Sequence, residues 1–519
     1  MGWIDVAGCG VVAFAAALSM LWLRRNAPLG ADEGYLWYGV QQIAKGRWPH
    51  RDFKSYEPGR YLWCAMFVRG FGAGLLPLRC ATHLFFAVGL GAALLALRSR
   101  GLDWPSLALA AIALSLIAHP QHKLFEHGWI LLAWAASAQL LSAPSAFAWA
   151  CEGAVLGLSL FFGFNLFLYA TAALLLALAV AAPIALLPYA GWKPGAFALG
   201  AVLGLVPMLC MSLSPRFARM FHQRRIATVI VRGESNLSLP LPWPWRAAPA
   251  QLQGMDPIHR RALQWTFLLL PCLPLAAIAL VAFRALPAAL DAPAMLASAT
   301  LGLMLFHHAV SRADPSHIVQ SLAPACLLLL LCAAPFAPLG FIPVAALMLW
   351  LAWPLWHRRT HSDGFERRRI GGCGIDVPGA QARLFDAASA LTASSHASND
   401  LFAAPAYPAL YAVLARDSPV YDTFALYPAA DEAQSRMIDG IERAPVRIGI
   451  VSDAPIDGRE ELRFSRTHPR VWAHLHAHFD CTRRDDIEAD VFVFVRKLGS
   501  LSRISTPEEQ AWLDAGRGF

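Results

Sequence analysis

The chain has 519 residues, of which 57% are apolar and only 15% charged, and its mean hydropathy is positive. This composition excludes an ordinary soluble enzyme and is typical of a polytopic α-helical membrane protein. The formal net charge of +8 would suggest nucleic acid as the partner of a soluble chain. Here the basic residues lie in loops between apolar segments, so we expect them to face anionic membrane lipids and expect no nucleic-acid binding.

The first apolar run, Val6–Leu23, has no basic segment before it and no clear small-residue cleavage site before Asp32, so we interpret it as a retained helix. Ten further runs suited to crossing a bilayer follow it. They are Arg79–Leu97, Pro105–Ala118, Gly128–Leu141, Phe147–Phe162, Leu166–Leu187, Phe197–Leu213, Trp265–Phe283, Met295–Val310, Ile318–Ala334 and Leu339–Trp356. The sequence therefore predicts about eleven spans. Arg69 and nearby glycines interrupt the stretch Leu62–Gly74, which we expect to lie on the membrane surface as a helix.

The loop after the first span, residues 24–78, carries the densest chemistry in the chain. Its central part, Ala31–Tyr61, reads ADEGYLWYGVQQIAKGRWPHRDFKSYEPGRY. The acids Asp32 and Glu33 follow the predicted end of a membrane helix, where ionisable groups are costly unless they are used. An acid pair in this place is also common as a solvated helix end.

This loop resembles the first extracytoplasmic loop of GT-C glycosyltransferases, which include protein O-mannosyltransferases and lipid A aminoarabinose transferases. The resemblance rests on DE, then YxWYxxQxxxxG, then PxRDF, then a Pro-Gly pair followed by Tyr. It implies that Asp32 lies at the reaction centre as the general base, with Glu33 beside it. Many relatives read HKPP where this chain reads Tyr56-Glu57-Pro58-Gly59, so the role of the missing lysine passes to Lys54 and Arg60.

Two further polar clusters fall on the same side of the predicted topology. The first is HPQHKLFEH, residues 119–127, which fits a metal site, a donor-phosphate site or a solvated turn. The spacing of its histidines does not place them on one helical face, and Lys123 is the residue that we single out. The second is SRADPSH, residues 311–317, which has an RxDxxH pattern. Arg312 can hold a phosphate oxygen through its forked donors, or it can form an interfacial salt bridge with Asp314.

Together these clusters give the predicted site. The predicted catalytic residues are Asp32 and Glu33. The predicted phosphate-binding residues are Arg51, Lys54, Arg60, Lys123 and Arg312. The predicted substrate-binding residues are Tyr35, Tyr56, Glu57, His122, Glu126, Asp314 and His317.

Two arguments about orientation disagree. The resemblance places the loop around Asp32 and the C-terminal region in the periplasm. The positive-inside rule opposes this, since residues 24–60 hold seven Lys/Arg and residues 214–261 hold eight, against Arg98, Arg100, Lys193 and Arg284 on the other side. We follow the resemblance, because long loops escape the rule more easily and a phosphate-bearing donor needs cations on its own side.

The long loop at residues 214–263 begins with RFARMFHQRR and continues with LPLPWPWRAAP. The first part favours a basic amphipathic helix and the second a stiff aromatic segment at the lipid interface. The loop either covers a lipid-linked sugar or binds anionic lipid without a part in the reaction.

Residues 357–519 have the composition of a soluble domain, after a transmembrane domain at residues 1–356. Helical patterns at Gly379–Ser394, Tyr407–Ala415, Ala429–Arg443 and Thr467–Phe479 alternate with strand patterns at Leu401–Pro405, Val446–Val451 and Asp490–Lys497. This alternation predicts a small α/β domain. Its segment AAPAYPALYAVLARDSPVYDTFALYP resembles the extracytoplasmic tail of some bacterial relatives. A disulfide between Cys373 and Cys481 is an open alternative.

These features favour an inverting glycosyltransferase in the bacterial cytoplasmic membrane. The resemblance implies a polyprenyl-phosphate-linked sugar as donor and a hydroxyl of a lipid, glycan or protein as acceptor. No cofactor is expected, and a metal is not required because lysine and arginine can stabilise a leaving phosphate. A transporter or flippase of lipid-linked glycans and a non-catalytic membrane scaffold are the alternatives.

Overall fold

The structure is a computed structural model that describes residues 2–187, 191–223, 225, 237–357, 364–393 and 397–497. The described helices up to residue 357 are α1 (Trp3–Arg24), α2 (Ala31–Ala44), α3 (Pro58–Phe71), α4 (Leu75–Arg98), α5 (Trp104–Leu116), α6 (Leu124–Ser142), α7 (Ala146–Phe162), α8 (Phe164–Ala181), α9 (Pro194–Ser212), α10 (Pro215–Phe221), α11 (Pro257–Ala282), α12 (Ala292–Ser311), α13 (Pro315–Gln320), α14 (Ala323–Ala333) and α15 (Phe341–His357). The later helices are α16 (Gly379–Thr392), α17 (Pro408–Val413), α18 (Asp431–Arg443), α19 (Phe464–Thr467) and α20 (Pro469–His478). The described strands are β1 (Phe365–Ile370), β2 (Cys373–Pro378), β3 (Leu401–Ala404), β4 (Ile448–Ser452), β5 (Phe479–Arg483) and β6 (Val491–Arg496).

The chain divides into two compact units. The helical unit comprises residues 1–26 and 56–362, and the mixed unit comprises residues 27–55 and 363–519. The sequence analysis placed one boundary after residue 356. In the structure the short segment 27–55, which includes Asp32, is grouped with the C-terminal residues.

In the described part of the chain, six helices are long and apolar enough to cross a membrane: α1, α4, α8, α9, α11 and α12. Shorter apolar helices include α5, α7, α14 and α15. Every apolar run predicted as a span overlaps a helix, although Leu166–Leu187 extends six residues past the end of α8 and Ile318–Ala334 is divided between α13 and α14. The predicted class, a polytopic helical chain with a C-terminal α/β region, is confirmed.

Hydrogen bonds within the helical unit join the C-terminal ends of helices α1, α5 and α15. Arg24, at the end of α1, donates to the Ala118 carbonyl oxygen at 2.6 Å, and Gln121 donates to the Arg24 carbonyl oxygen at 2.9 Å. The indole of Trp356, near the end of α15, donates to the Leu116 carbonyl oxygen at 3.0 Å. We call this region, where α1, α5 and α15 end, the site end.

Four other helix termini, those next to Asp5, Arg98, Ser142 and Asp291, meet at the opposite end. Arg98, at the end of α4, pairs with Asp5 at 2.9 Å, close to the start of α1. Arg100 pairs with Asp291 at 2.7 Å, just before α12, and donates to the Ser142 hydroxyl at 2.8 Å, at the end of α6. The alternation of ends agrees with the loop order that the sequence predicts.

Glycines let α7 and α9 pack backbone to backbone. A Cβ at Gly153 would lie 2.1 Å from the Phe197 carbonyl oxygen, and one at Gly200 would lie 1.9 Å from the Ala150 carbonyl oxygen. These are the small-residue contacts that stabilise helix pairs in membranes, where the hydrophobic effect between helices is weak.

The mixed unit is built on a four-stranded sheet with the order β3-β4-β6-β5. β3 and β4 are parallel, with Ala403 opposite Ile450, whereas the β4/β6 and β6/β5 pairs are antiparallel. Its buried core includes Phe402, Val451 and Phe494. A separate antiparallel hairpin is formed by β1 and β2.

The predicted elements of this unit are found at the predicted places, within a few residues at their ends. The hairpin β1/β2 and strand β5 were missed. The end of the first predicted helix, at Ser394, lies outside the described residues. Cys373 and Cys481 are both free thiols, so the structure shows no bond between them.

Candidate functional site

The site end of the helical unit holds a cluster of two cations on one carboxylate. Arg60 lies in the first turn of α3, and Glu126 lies in the first turn of α6. The Arg60 Nη1 atom is 2.7 Å from Glu126 Oε1, and Lys123 Nζ is 3.3 Å from the same oxygen. The cluster therefore keeps one uncompensated positive charge. We call it the Glu126 cluster.

Arg60 is anchored more firmly than Lys123. Its side chain is only 6% exposed, and its Nε donates to the Phe162 carbonyl oxygen at 2.6 Å. A Cβ at Gly163 would lie 3.1 Å from Arg60 Nη2, so this glycine leaves room for the guanidinium. Lys123 is 18% exposed and lies farther from the carboxylate. Lys123 is therefore the cation better placed to exchange partners.

The ring of Tyr56 faces both cations of the cluster. Its centroid is 5.4 Å from the Arg60 guanidinium carbon and 5.5 Å from Lys123 Nζ. Tyr56 donates its backbone N–H to the hydroxyl of the fully buried Tyr61 at 3.1 Å, which fixes the start of the segment. A tyrosine face attracts cations electrostatically, so the ring supports the positive charge without neutralising it.

Glu57 is held by a residue that the sequence analysis did not single out. Its carboxylate is buried and pairs with Arg225 at 2.8 Å. Arg225 is the last residue of the RFARMFHQRR segment. The helix predicted for this segment is observed as α10, which ends four residues before Arg225. The residues from 226 to 236 of that loop lie outside the described residues. The run of basic residues was the available signal, but it did not indicate which residue reaches Glu57.

The RxDxxH segment forms a compact network at the end of α12. Asp314 caps α13 and accepts from the backbone N–H of His317, and it also contacts the ring Nδ1 atom of His317, both at 2.9 Å. Arg312 donates to Asp314 at 3.0 Å and to the Leu237 carbonyl oxygen at 3.2 Å. Burial tends to raise the pKa of Asp314, but the hydrogen bonds from His317 and the charge of Arg312 outweigh it and hold that pKa below its usual value.

A histidine missed by the sequence analysis, His308, belongs to the network of the RxDxxH segment. His308 contacts Gln320 at 2.9 Å, and its ring centroid is 4.9 Å from that of His317. The HPQHK and RxDxxH segments both lie in the helical unit, and a shared phosphate site for Lys123 and Arg312 stays a prediction. His122 lies in the short 3-10 turn Gln121–Lys123 directly before α6, and its role in substrate binding stays a prediction.

The predicted catalytic acids lie in the mixed unit, on a helix that the sequence analysis treated as loop. Asp32 and Glu33 occupy the first turn of α2, after Gly30, and this is where the helix dipole stabilises negative charge. Asp32 is half-buried and Glu33 is buried. Tyr35 is buried as well, with its ring centroid 5.3 Å from that of Phe424.

The other two predicted phosphate ligands pair with carboxylates of their own unit. Arg51 lies 2.7 Å from Asp52, and Lys54 lies 2.5 Å from Asp422. A phosphate role for either residue stays a prediction. Within the described residues, no group of three or more metal-ligating side chains is found.

The comparisons with known proteins are structural, since no family model and no curated protein matches the chain. ArnT from Cupriavidus metallidurans in the apo state is 16% identical, with 97% of this chain and 98% of that chain covered and a TM-score of 0.48. ArnT bound to undecaprenyl phosphate gives 16% identity, coverage of 95% and 98%, and a TM-score of 0.48. AglB, an archaeal oligosaccharyltransferase from Archaeoglobus fulgidus in complex with an inhibitory peptide and a dolichol-phosphate, gives 12% identity, coverage of 98% and 76%, and a TM-score of 0.44.

ArnT and AglB are both members of the GT-C superfamily, which the first loop of this chain resembles.

Proposed function

We propose that this protein is an inverting glycosyltransferase of the GT-C type. It would transfer a sugar from a polyprenyl-phosphate-linked donor to a hydroxyl of a lipid, glycan or protein acceptor. The site would lie on the periplasmic face of a bacterial cytoplasmic membrane, and the chain would cross that membrane several times.

The observation that carries the proposal is the Glu126 cluster. Two cations share one carboxylate at the ends of apolar helices, which leaves positive charge where a membrane-bound phosphate would arrive. The Oε2 atom of Glu126 is buried and accepts no hydrogen bond from the described residues, so the carboxylate keeps an unused acceptor beside the two cations. Charged hydrogen bonds are stronger in such a partly shielded place than in water.

The reaction follows from these charges and from the resemblance of the first loop. Asp32 would take the proton of the acceptor hydroxyl as general base, and the oxygen would attack the anomeric carbon from the face opposite the phosphate. The bond from that carbon to the phosphate oxygen breaks, and its electron pair leaves with the lipid phosphate. Lys123 and Arg60 would stabilise the charge that develops there, with Arg312 as a further candidate.

The two alternatives are disfavoured by where the charges lie. A transporter of lipid-linked glycans would be expected to place charged groups along its spans, whereas the ion pairs described above lie at helix ends. A scaffold needs no positive cluster of this kind at the membrane surface.

The test compares wild type with Asp32→Asn in liposomes supplied with a panel of polyprenyl-phosphate sugars. Removal of a general base typically costs about two to four orders of magnitude in rate, so transfer should be nearly abolished while donor binding persists. Asp431→Asn is a matched control, because Asp431 and Glu432 form the same acid pair in the first turn of α18. Activity of Asp32→Asn within about threefold of wild type would exclude Asp32 as the base.

A further inference from the structure

Helix α2, which carries Asp32 and Glu33, is embedded in the C-terminal part of the mixed unit. Its residues Trp37 and Tyr38 are 1% and 2% exposed. The Tyr38 ring centroid is 5.5 Å from that of Tyr411 in α17, and the Tyr38 hydroxyl accepts the backbone N–H of Ser418 at 3.0 Å. The helix is therefore an inner element of this unit and not a free loop.

Helices α2 and α17 lie in close contact at Gly34 and Ala409. A Cβ at Gly34 would lie 2.5 Å from the Cβ of Ala409 and 2.7 Å from its Cα. Only glycine fits there without moving one helix, so the distance between the helices is set one turn or less from Asp32. Farther along, Gln41 donates to the Ala412 carbonyl oxygen at 3.1 Å.

Asp417 fixes the far end of α2. Its carboxylate accepts from Gln42 at 3.1 Å, from Lys45 at 2.6 Å and from Arg47 at 3.1 Å. Arg47 also donates to the amide oxygen of Gln42 at 2.7 Å, which closes the network. We call these four residues the Asp417 clamp.

The Asp417 clamp is stabilised by the attraction between one carboxylate and two cations. The carboxylate of Asp417 is 11% exposed and has two cations beside it. Burial tends to raise its pKa, but the hydrogen bonds from Lys45 and Gln42 and the charge of Arg47 hold the pKa below its usual value. Asp417 therefore stays ionised and keeps all three donors in place.

A second ion pair secures the segment that follows α2. Lys54 pairs with Asp422 at 2.5 Å and donates its backbone N–H to the Tyr421 carbonyl oxygen at 2.9 Å. The Tyr421 hydroxyl in turn donates to the His50 carbonyl oxygen at 2.8 Å. Three cations of the first loop, Lys45, Arg47 and Lys54, are thus paired with acids of the C-terminal residues.

We propose that the C-terminal part of the mixed unit holds the catalytic helix α2 in position, with Asp417 as the main positioning residue. The inference rests on the proposed role of Asp32 as general base. Asp32 and Gln42 lie ten residues apart on one continuous helix, roughly 15 Å. A rigid helix transmits a displacement at one end to the other, and a base misplaced by about 1 Å can cost roughly 100-fold in rate.

The kinetic test uses Asp417→Ala in the full-length protein, with Glu442→Ala as a matched control. Glu442 is another carboxylate of this unit with two basic partners, Arg496 and His474. We expect Asp417→Ala to lower kcat about 10- to 100-fold with the donor and acceptor KM within twofold of wild type. Asp417→Glu, which keeps the charge, should recover part of the loss, and Glu442→Ala should leave kcat unchanged.

The structural test measures amide hydrogen exchange of residues 31–44, which should become faster in Asp417→Ala and stay unchanged in Glu442→Ala. Gly34→Ala provides a second route, because its new Cβ should push α2 away from α17 and lower kcat in the same way. Its control is Gly70→Ala, since a Cβ at Gly70 meets nothing within 4 Å.

Normal kcat in both Asp417→Ala and Gly34→Ala would overturn the inference, and so would a loss confined to KM. Either result would leave the proposed function intact, provided that Asp32→Asn is inactive. A wild-type protein that transfers no sugar from the panel would overturn the proposed function and this inference with it.

Discussion

Lys123 provides the sharpest test of the Glu126 cluster. Arg60 is a poor choice for this purpose, because its removal would leave Glu126 buried with a weaker partner and would cost about 3–5 kcal/mol of stability. Lys123 lies 3.3 Å from the carboxylate against 2.7 Å for Arg60, and Arg60 would still neutralise Glu126 in its absence. The change Lys123→Ala should therefore spare the fold and remove one positive charge.

The expected size of the effect follows from the contact that is lost. A hydrogen bond to a charged group is worth about 1.5–3 kcal/mol. At roughly 1.4 kcal/mol for each factor of ten, the loss corresponds to about a 10- to 100-fold fall in kcat/KM for the donor. Because the contact is to the leaving phosphate, the same fall should appear with every acceptor. Lys123→Arg should retain most of the activity.

The assay is initial-rate transfer in liposomes with donor concentration varied at two fixed acceptors. Lys193→Ala serves as control, because Lys193 is an exposed lysine at the start of α9. A value of kcat/KM for Lys123→Ala within twofold of wild type would refute the assignment. A fall seen with only one acceptor would place Lys123 on the acceptor side.

Two further predictions concern orientation and pH. In a variant without native cysteines, Ala44→Cys and Gln223→Cys should react with an impermeant thiol reagent from the periplasmic side, whereas Ser99→Cys should not; labelling at Ser99 alone would invert the topology and support the positive-inside count. Burial lowers the pKa of His468 from an ordinary value of about 6.5 to about 4, so protonation of this side chain favours the unfolded chain. The free energy of unfolding is therefore highest above pH 6.5 and decreases as the pH falls towards 4. Between pH 7.5 and 5 this should cost about 2 kcal/mol, seen as faster hydrogen exchange in α20, and His468→Gln should lose most of that slope.

Hydropathy located the apolar helices because burial in lipid demands a continuous apolar run, and the strands β3, β4 and β6 carry the apolar runs of a buried sheet. Strand β5 was missed because four of its five residues, Asp480 to Arg483, are exposed and mostly polar. Helix α2 was treated as loop, since Gly34 and Gly39 weaken helix propensity and only the approach of α17 explains the first of them. The contact between α2 and α17 joins residues far apart in the chain, so the local sequence does not reveal it.

The site shows the same division between local and distant information. The cap of α13 by Asp314 follows from residues three apart. By contrast, the pairing of Lys54 with Asp422 joins residues 368 positions apart, and Arg60 reaches Glu126 across 66 positions. A single sequence marks these residues as charged and unusual in their setting, but it does not assign their partners.

The Asp417 clamp also has a consequence for the order of events during synthesis. Lys45 is made 372 residues before Asp417. At about 5–20 residues per second, α2 would wait roughly 20–70 s for the acid that pairs with Lys45 just after its end and for the surface that covers Tyr38. Until then the aromatic side of α2 is uncovered, so a chain interrupted anywhere before Asp417 would display it to proteases and chaperones. Premature truncation should therefore be cleared from the membrane even when every span has been inserted.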